Sequence, residues 1–405
     1  MNEKRYFKRK KLSRIKALFI LVLIIGCIFF GIDLSVKKEN FEETKVFQSG
    51  DNNYQFFRIP SVIKAPNDVI LAFCEGRKEG LSDFGDIDIV QKRSIDNGKS
   101  WSPLQLIIDN GENQAGNPTP VVDNLDPKYP DGRIFLHYNT RSHSEKDIVN
   151  GNGIVEVWYV TSTDNGVTWS IPVNITTQVN RPNEPLFNPE YNFTEDWRWF
   201  ANGPGNAIQL KTGRLLIPGN HSTGNFEDFN NHSHVYFSDN HGLDWQLGGI
   251  LGKNTNESTI VELTNGEIMI NMRRIRDNSR KRGVAISRDG GLSFGSVYSD
   301  KELIEPQVHA SIIRFTNKVF HERNRLLFSN PKSSKERENM TVRISYDEGN
   351  TWSDGKTIYS GHSAYSDLVI LNDFTIGLLY ERDKYSEIAF AHFNLKWLSE
   401  GQDDF

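Results

Sequence analysis

Cysteine is nearly absent from this chain: there are two in 405 residues, Cys27 and Cys74. The first lies in an apolar N-terminal run and the second beside the strand-like stretch Val69-Ile70-Leu71-Ala72-Phe73. No internal disulfide framework is therefore expected. With no Cys–His cluster in the sequence, neither is a zinc site. Low-complexity segments are missing, and so is the 3.6-residue apolar period of long helices. Most segments alternate, or run as short β-rich stretches between Gly, Asn, Asp and Pro turns. A basic surplus is missing from the body of the chain. Lys and Arg number 47 against 52 Asp and Glu, and eight of the basic residues but only one acid fall within residues 1–16. The remainder therefore stands at net −12, which excludes nucleic acid as a partner.

Long apolar runs are also scarce, with one exception. Ala17–Ile32 carries no charge over 16 residues and follows the basic cluster Lys4–Lys16. That length is short for a membrane span and suits the apolar region of an export signal. Residues 1–36 therefore read as a signal peptide or membrane anchor. Ile24-Ile25-Gly26-Cys27 resembles a lipoprotein cleavage box, so lipidation at Cys27, an uncleaved anchor and cleavage elsewhere all stay open. The expected protein is exported: membrane-anchored, a lipoprotein or secreted.

The chain is rich in one repeat. Ser94-Ile95-Asp96-Asn97-Gly98-Lys99-Ser100-Trp101 recurs as Ser162–Trp169 and Ser345–Trp352, and in weaker form as Ser287–Phe294 and Ser238–Trp245, the last with Asn240 at the Asp position. Each copy follows a short β-like run. Asp and Ser side chains satisfy nearby backbone amides, Gly supplies a positive φ, and the aromatic ring packs back on the hairpin. The boxes are therefore fold-stabilising turns, not ligands. Their starts are roughly 50–75 residues apart, a spacing that suits propeller blades rather than solenoid repeats. The expectation is an all-β, six-bladed β-propeller over residues 44–405. Its sixth blade comes from the strands around 370–393, closed by the N-terminal strand. The insertion Gln178–Gly205, with Phe187, Tyr191, Phe193, Trp197, Trp199 and Phe200, reads as a packed loop on one rim.

Three arginines stand out: Arg58 in Phe57-Arg58-Ile59-Pro60, Arg273 after Ile270-Asn271-Met272, and Arg337 before Asn339-Met340-Thr341. In a propeller the inner strands of all blades border one axis, so distant residues can converge there. Three guanidinium groups at one point make a clamp for a small carboxylate.

Phe57-Arg58-Ile59-Pro60, the five boxes, Gly203-Pro204-Gly205, Asn256-Glu257-Ser258 followed by Arg273, and Ala364-Tyr365-Ser366-Asp367-Leu368 together resemble the exo-α-sialidase (neuraminidase) family of the Arg-Ile-Pro type. The resemblance covers nearly everything after residue 44. It implies that Arg58, Arg273 and Arg337 grip the sialic-acid carboxylate, that Tyr365 is the nucleophile and Glu257 its base, and that Asp83 in Ser82-Asp83-Phe84-Gly85-Asp86 is the acid/base, with Asp86 and Asp88 standing nearby. It implies that Glu381 orients Arg58 and that Arg77 lies by the acid/base loop. A neutral phenol suits an anomeric carbon that bears a carboxylate, and sialidases are the tyrosine exception among glycosidases. The implied activity is retaining hydrolysis of terminal α-linked sialic acid from glycans, without metal or organic cofactor. Alternatives are sialyl transfer on the same site and a non-catalytic sialic-acid-binding propeller.

Overall fold

The computed structural model describes residues 40–183, 196–224, 227 and 230–404. The expected export segment over 1–36, with Cys27, and three of the insertion aromatics, Phe187, Tyr191 and Phe193, lie outside the described residues.

Alternation along each strand decides the architecture. In Ile70–Arg77, Ile70, Ala72 and Cys74 point to one neighbouring sheet, while Leu71 and Phe73 point to the other. Every second residue faces the same way, so a strand apolar on both faces needs a sheet on each side. The described strands meet this need by forming six antiparallel blades. Blade 1 runs from Phe56–Lys64 to Gln105–Ile108, and blade 2 from Gln114–Asp123 to Val173–Asn174. Blade 3 runs from Trp197–Asn202 to Gln246–Ile250, and blade 4 from Thr255–Glu262 to Tyr298–Ile304. Blade 5 starts at Ser311–Thr316 and ends in the first half of Lys356–Ile370, which pairs with Glu338–Ser345 as far as His362. From Ser363 the same extended run pairs with Ile376–Arg382 and becomes the inner strand of blade 6. Glu387–Phe393 follows, and Phe41–Gln48 completes the sheet, with Phe41 opposite Phe393 and Gln48 opposite Glu387. The expected sixth blade and its N-terminal closure are both present, and the first strand begins three residues ahead of the expected boundary.

The core follows the same ring. Its large clusters lie between consecutive blades: 1 and 2, 2 and 3, 3 and 4, 4 and 5, 5 and 6, and 6 with 1. One expectation fails. Trp197 and Phe200 belong to no rim loop. They sit in the inner strand of blade 3, 0% and 1% exposed, packed against blade 2. Aromatic density marked burial there, not a binding loop.

The five boxes join the third and fourth strands of blades 1 to 5. In each, the Ser Oγ accepts from the box Gly N–H at 2.8–2.9 Å and donates to the Asp or Asn side chain two residues on. That side chain in turn accepts the N–H of the residue before the aromatic. The glycines have positive φ, and each presses on the preceding blade: Gly166 on Leu71, Gly242 on Phe135, Gly291 on Leu216, and Gly349 on Met269. The boxes therefore register neighbouring blades as well as turning the chain. All five lie on one face, here called lower, with the turns between first and second strands. The turns between second and third strands lie on the upper face. Gly242→Ala would place a Cβ 2.4 Å from a Phe135 ring carbon at φ +78°. We expect it to cost about 2–4 kcal/mol in urea unfolding, with no effect on ligand binding at the distant upper face.

Candidate active site

Four inner strands carry the same irregularity near their upper ends. Between Arg58 and Ser61, Gly116 and Thr119, Thr255 and Ser258, and Ser363 and Ser366, three steps on the inner strand oppose two on its neighbour. A one-residue bulge bends the strand and re-aims its side chains. In three of the four it falls at a predicted site residue. It directly follows Arg58, with Ile59 at φ +59°, and it contains Glu257 and Tyr365. These side chains line an upper-face cavity of about 340 Å³ together with Arg77, Asp83, Arg273 and Arg337. Glu381 lies beneath, fully buried.

The three arginines surround Tyr365. The Arg273 Nη1 donates to the Tyr365 Oη at 3.1 Å and to Glu257 Oε2 at 2.8 Å. The guanidinium carbons of Arg58 and Arg337 lie 5.6 and 5.7 Å from the Tyr365 ring centre. Arg58 is fixed from behind, its Nε donating to Glu381 Oε1 at 2.7 Å. Arg337 donates to the Tyr385 hydroxyl at 3.0 Å, and the Tyr385 ring lies under Arg58 at 4.1 Å. Sequence reading missed Tyr385, which sits in a short turn with no motif around it.

The Tyr365 hydroxyl donates to Glu257 Oε1. Burial, then the Glu257 charge, push this phenol well above its ordinary range. Burial pushes the Glu257 carboxyl up, but the Arg273 charge and the hydrogen bonds from Tyr365 and Arg273 together outweigh it and hold the group below the usual carboxylate value. At neutral pH the pair is therefore phenol and carboxylate, placed so that the carboxylate can take the phenol's proton. His309 packs against the Tyr365 ring, and burial pushes it down to about 3, so it is neutral there.

Asp83 stands at the mouth, its side chain 79% exposed, with Oδ1 2.8 Å from Arg77 Nη1. Water reaches this side chain, yet the protein around the mouth still disfavours its charge; Arg77, then Arg58, and Arg141 outweigh that and hold its carboxyl below the usual range. Arg77 is anchored by Glu75 Oε2, which accepts from Nη2 at 2.6 Å, and by the Leu81 and Ser82 carbonyls. The neighbouring acids point elsewhere: Asp86 and Asp88 pair with Lys78, and Asp88 accepts from Tyr54. Of the arginines' neighbours, Arg274 bonds Ser299 and Asp277, and Arg343 bonds Asn330.

Residues outside the expected set also line the cavity: Glu75, Arg141, Glu145, Trp199 and an amide group of Asn220, Asn231 and Asn256. Arg141 stacks on Trp199 at 4.5 Å and donates to the Asp83 carbonyl. One positional signal would have found it. Arg77, Arg141, Arg273 and Glu381 all fall at or next to the upper end of a second strand. Among the described residues the one group with metal-ligand spacing, Asp123, Asp126 and His241, is at the opposite face. There Arg133 occupies Asp126 and His241 occupies Asp123.

The match to known proteins is extensive. Residues 67–380 fit the BNR repeat-like domain model. The chain is 31% identical to an exo-alpha-sialidase of Aspergillus fumigatus, over 87% of each protein. It is 32% identical to a sialidase of Micromonospora viridifaciens, covering 88% of this chain and 54% of that longer protein. Among solved structures, a Hadza microbial sialidase superposes with a TM-score of 0.75 at 27% identity, over 88% of this chain and 69% of that one.

Glu381 serves three donors at once. Its two oxygens accept from Arg58 Nε, Ile59 N and Tyr365 N. Glu381→Gln keeps the shape but turns an amide donor on one of these N–H groups. We expect a loss of about 2–4 kcal/mol in unfolding free energy, with weakened carboxylate binding at the upper face measured by calorimetry.

Proposed function

From the premise that this chain belongs to the sialidase family, we infer that it releases terminal α-linked sialic acid from glycans with retention, through a covalent bond from the sugar's anomeric carbon to Tyr365. The observation that carries this reading is the Glu257–Tyr365–Arg273 contact, set inside a ring of three guanidinium groups. A sialidase of Trypanosoma rangeli solved with 2,3-difluorosialic acid is described as a covalent intermediate. At 18% identity that protein supports the fold here and suggests the reagent.

The sugar carboxylate sits among Arg58, Arg273 and Arg337, which orient it by bidentate contacts. The Tyr365 oxygen attacks the anomeric carbon as its proton passes to Glu257. The bond to the leaving oxygen breaks as Asp83 protonates it. Water then gives its proton to Asp83 and attacks the same carbon, and Glu257 returns its proton to the departing Tyr365. Asp83 must be protonated for the first step, although the surrounding cations hold it ionised in the free protein. The bound carboxylate offsets part of that positive field, which raises the Asp83 pKa when substrate is in place. Binding thereby prepares the acid. The same reading extends to location: the chain is exported and held at a membrane through residues 17–32, with sialylated glycans as its substrates.

Proton NMR of products from α2,3- and α2,6-sialyllactose, followed from the first turnover, is expected to show the α-anomer of free sialic acid first. The β-anomer appearing first rejects retention, and an anhydro or lactose-linked product identifies a transferase. Treatment with 2,3-difluorosialic acid should add one sugar mass to the peptide holding Tyr365, and Tyr365→Phe should remain unlabelled. Asp83→Ala should lose about 10²–10⁴-fold in kcat/KM on sialyllactose. On an aryl sialoside, whose leaving group needs no proton, it should lose far less; equal losses remove Asp83 from the acid role.

A further inference from the structure

Among the described residues, the large apolar side chains exposed in turns lie mostly on the lower face, opposite the cavity; others, such as Leu106, Ile171 and Tyr298, lie along the outer strands. Phe320 and Val319 form the tip of the turn between the first two strands of blade 5, each 79% exposed, and Phe374 is 43% exposed in the equivalent turn of blade 6. The His321 and Phe374 rings touch, which joins the two turns. Leu243 and Ile95, in the boxes of blades 3 and 1, are exposed on the same face. The upper-face turns show one such residue among those described, Leu81.

These side chains sit at turn ends, Val319, Phe320 and Phe374 in two adjoining turns and Leu243 and Ile95 in boxes, a placement suited to shallow insertion into a fluid interface. Chain geometry favours the same occupant. The strand Phe41–Gln48 begins on the lower face, opposite Phe393, in the blade that carries Phe374. Eight residues, 33–40, separate it from the uncharged run Ala17–Ile32. An eight-residue link reaches at most about 29 Å, so a bilayer holding that run would lie close to this face.

We propose that the lower face of blades 5 and 6 docks on a lipid bilayer through Val319, Phe320 and Phe374, so that the sialic-acid cavity on the opposite face points away from the membrane. This rests on the reading of residues 17–32 as a membrane anchor and adds to it a second contact and a fixed orientation. Nitroxide labels test both. Full-length protein in a Cys27→Ser background, with Phe320→Cys or Leu81→Cys labelled, is incorporated in phosphatidylcholine vesicles and floated. Collision of each label with lipid-soluble oxygen is compared with collision with a water-soluble nickel chelate. The expected oxygen-to-nickel ratio at position 320 is roughly fivefold or more above that at 81, as for a group below the headgroups. Protein that floats but gives equal ratios overturns the docking while leaving the anchor. Protein that does not float overturns both. A high ratio only at 81 reverses the orientation and overturns the proposal. Position 320 is exposed and far from the cavity, so its labelled variant should turn over a soluble sialoside at the rate of the unlabelled chain; folding of the variant labelled at 81, whose carbonyl anchors Arg77, is certified by circular dichroism.

Discussion

One buried carboxylate holds the site together. Glu381 is inaccessible to solvent and accepts from the Arg58 guanidinium, the Ile59 amide and the Tyr365 amide. A single side chain therefore fixes Arg58, the bulge that aims it and the backbone of Tyr365. A charge buried this deeply is tolerated only when it is paired and hydrogen-bonded, and three contacts meet that need, two of them across the seam between blades 1 and 6 and one within blade 6. Asp367, two residues beyond Tyr365, repeats the device lower on the axis. It accepts from Val62 N, Ser61 Oγ, Ser311 Oγ and Asn206 N, tying blades 1, 3 and 5 to blade 6. Burial pushes its carboxyl up to about 7, against the pull of these donors.

Blade 6 shows how the ring copes without a sixth box. Where the other blades offer Leu71, Phe135, Leu216 or Met269 to the next blade's box glycine, blade 6 has Gly377 at the matching register. The Phe390 ring from the next strand covers Gly377, meets Gly98 and stands edge-on to Trp101. An aromatic ring reaching across from the third strand fills the position that a second-strand side chain fills elsewhere.

Much of this was legible in advance, for physical reasons. The box is a local structure: its hydrogen bonds span four residues, so composition and spacing suffice to see it, and five copies predict blades. The arginines, Glu257 and Tyr365 were visible because each sits in a short motif beside a bulge. What escaped was long-range. Tyr385, Glu75 and Arg141 act through partners brought near by the ring, and nothing adjacent in sequence marks them. Trp197 and Phe200 were misplaced because an aromatic cluster in an irregular stretch looks the same whether it covers a rim or fills a core. Asp83 was separable from Asp86 and Asp88 only once Lys78 and Tyr54 were seen to engage the other two.

The closure of blade 6 by Phe41–Gln48 sets an order in time. During synthesis that strand emerges early, yet its partner Glu387–Phe393 is among the last segments made, and Arg58 waits equally long for Glu381. Neither the ring nor the arginine clamp can exist until nearly the whole chain has left the ribosome. A chain that cannot close early is correspondingly silent as an enzyme until its two ends meet.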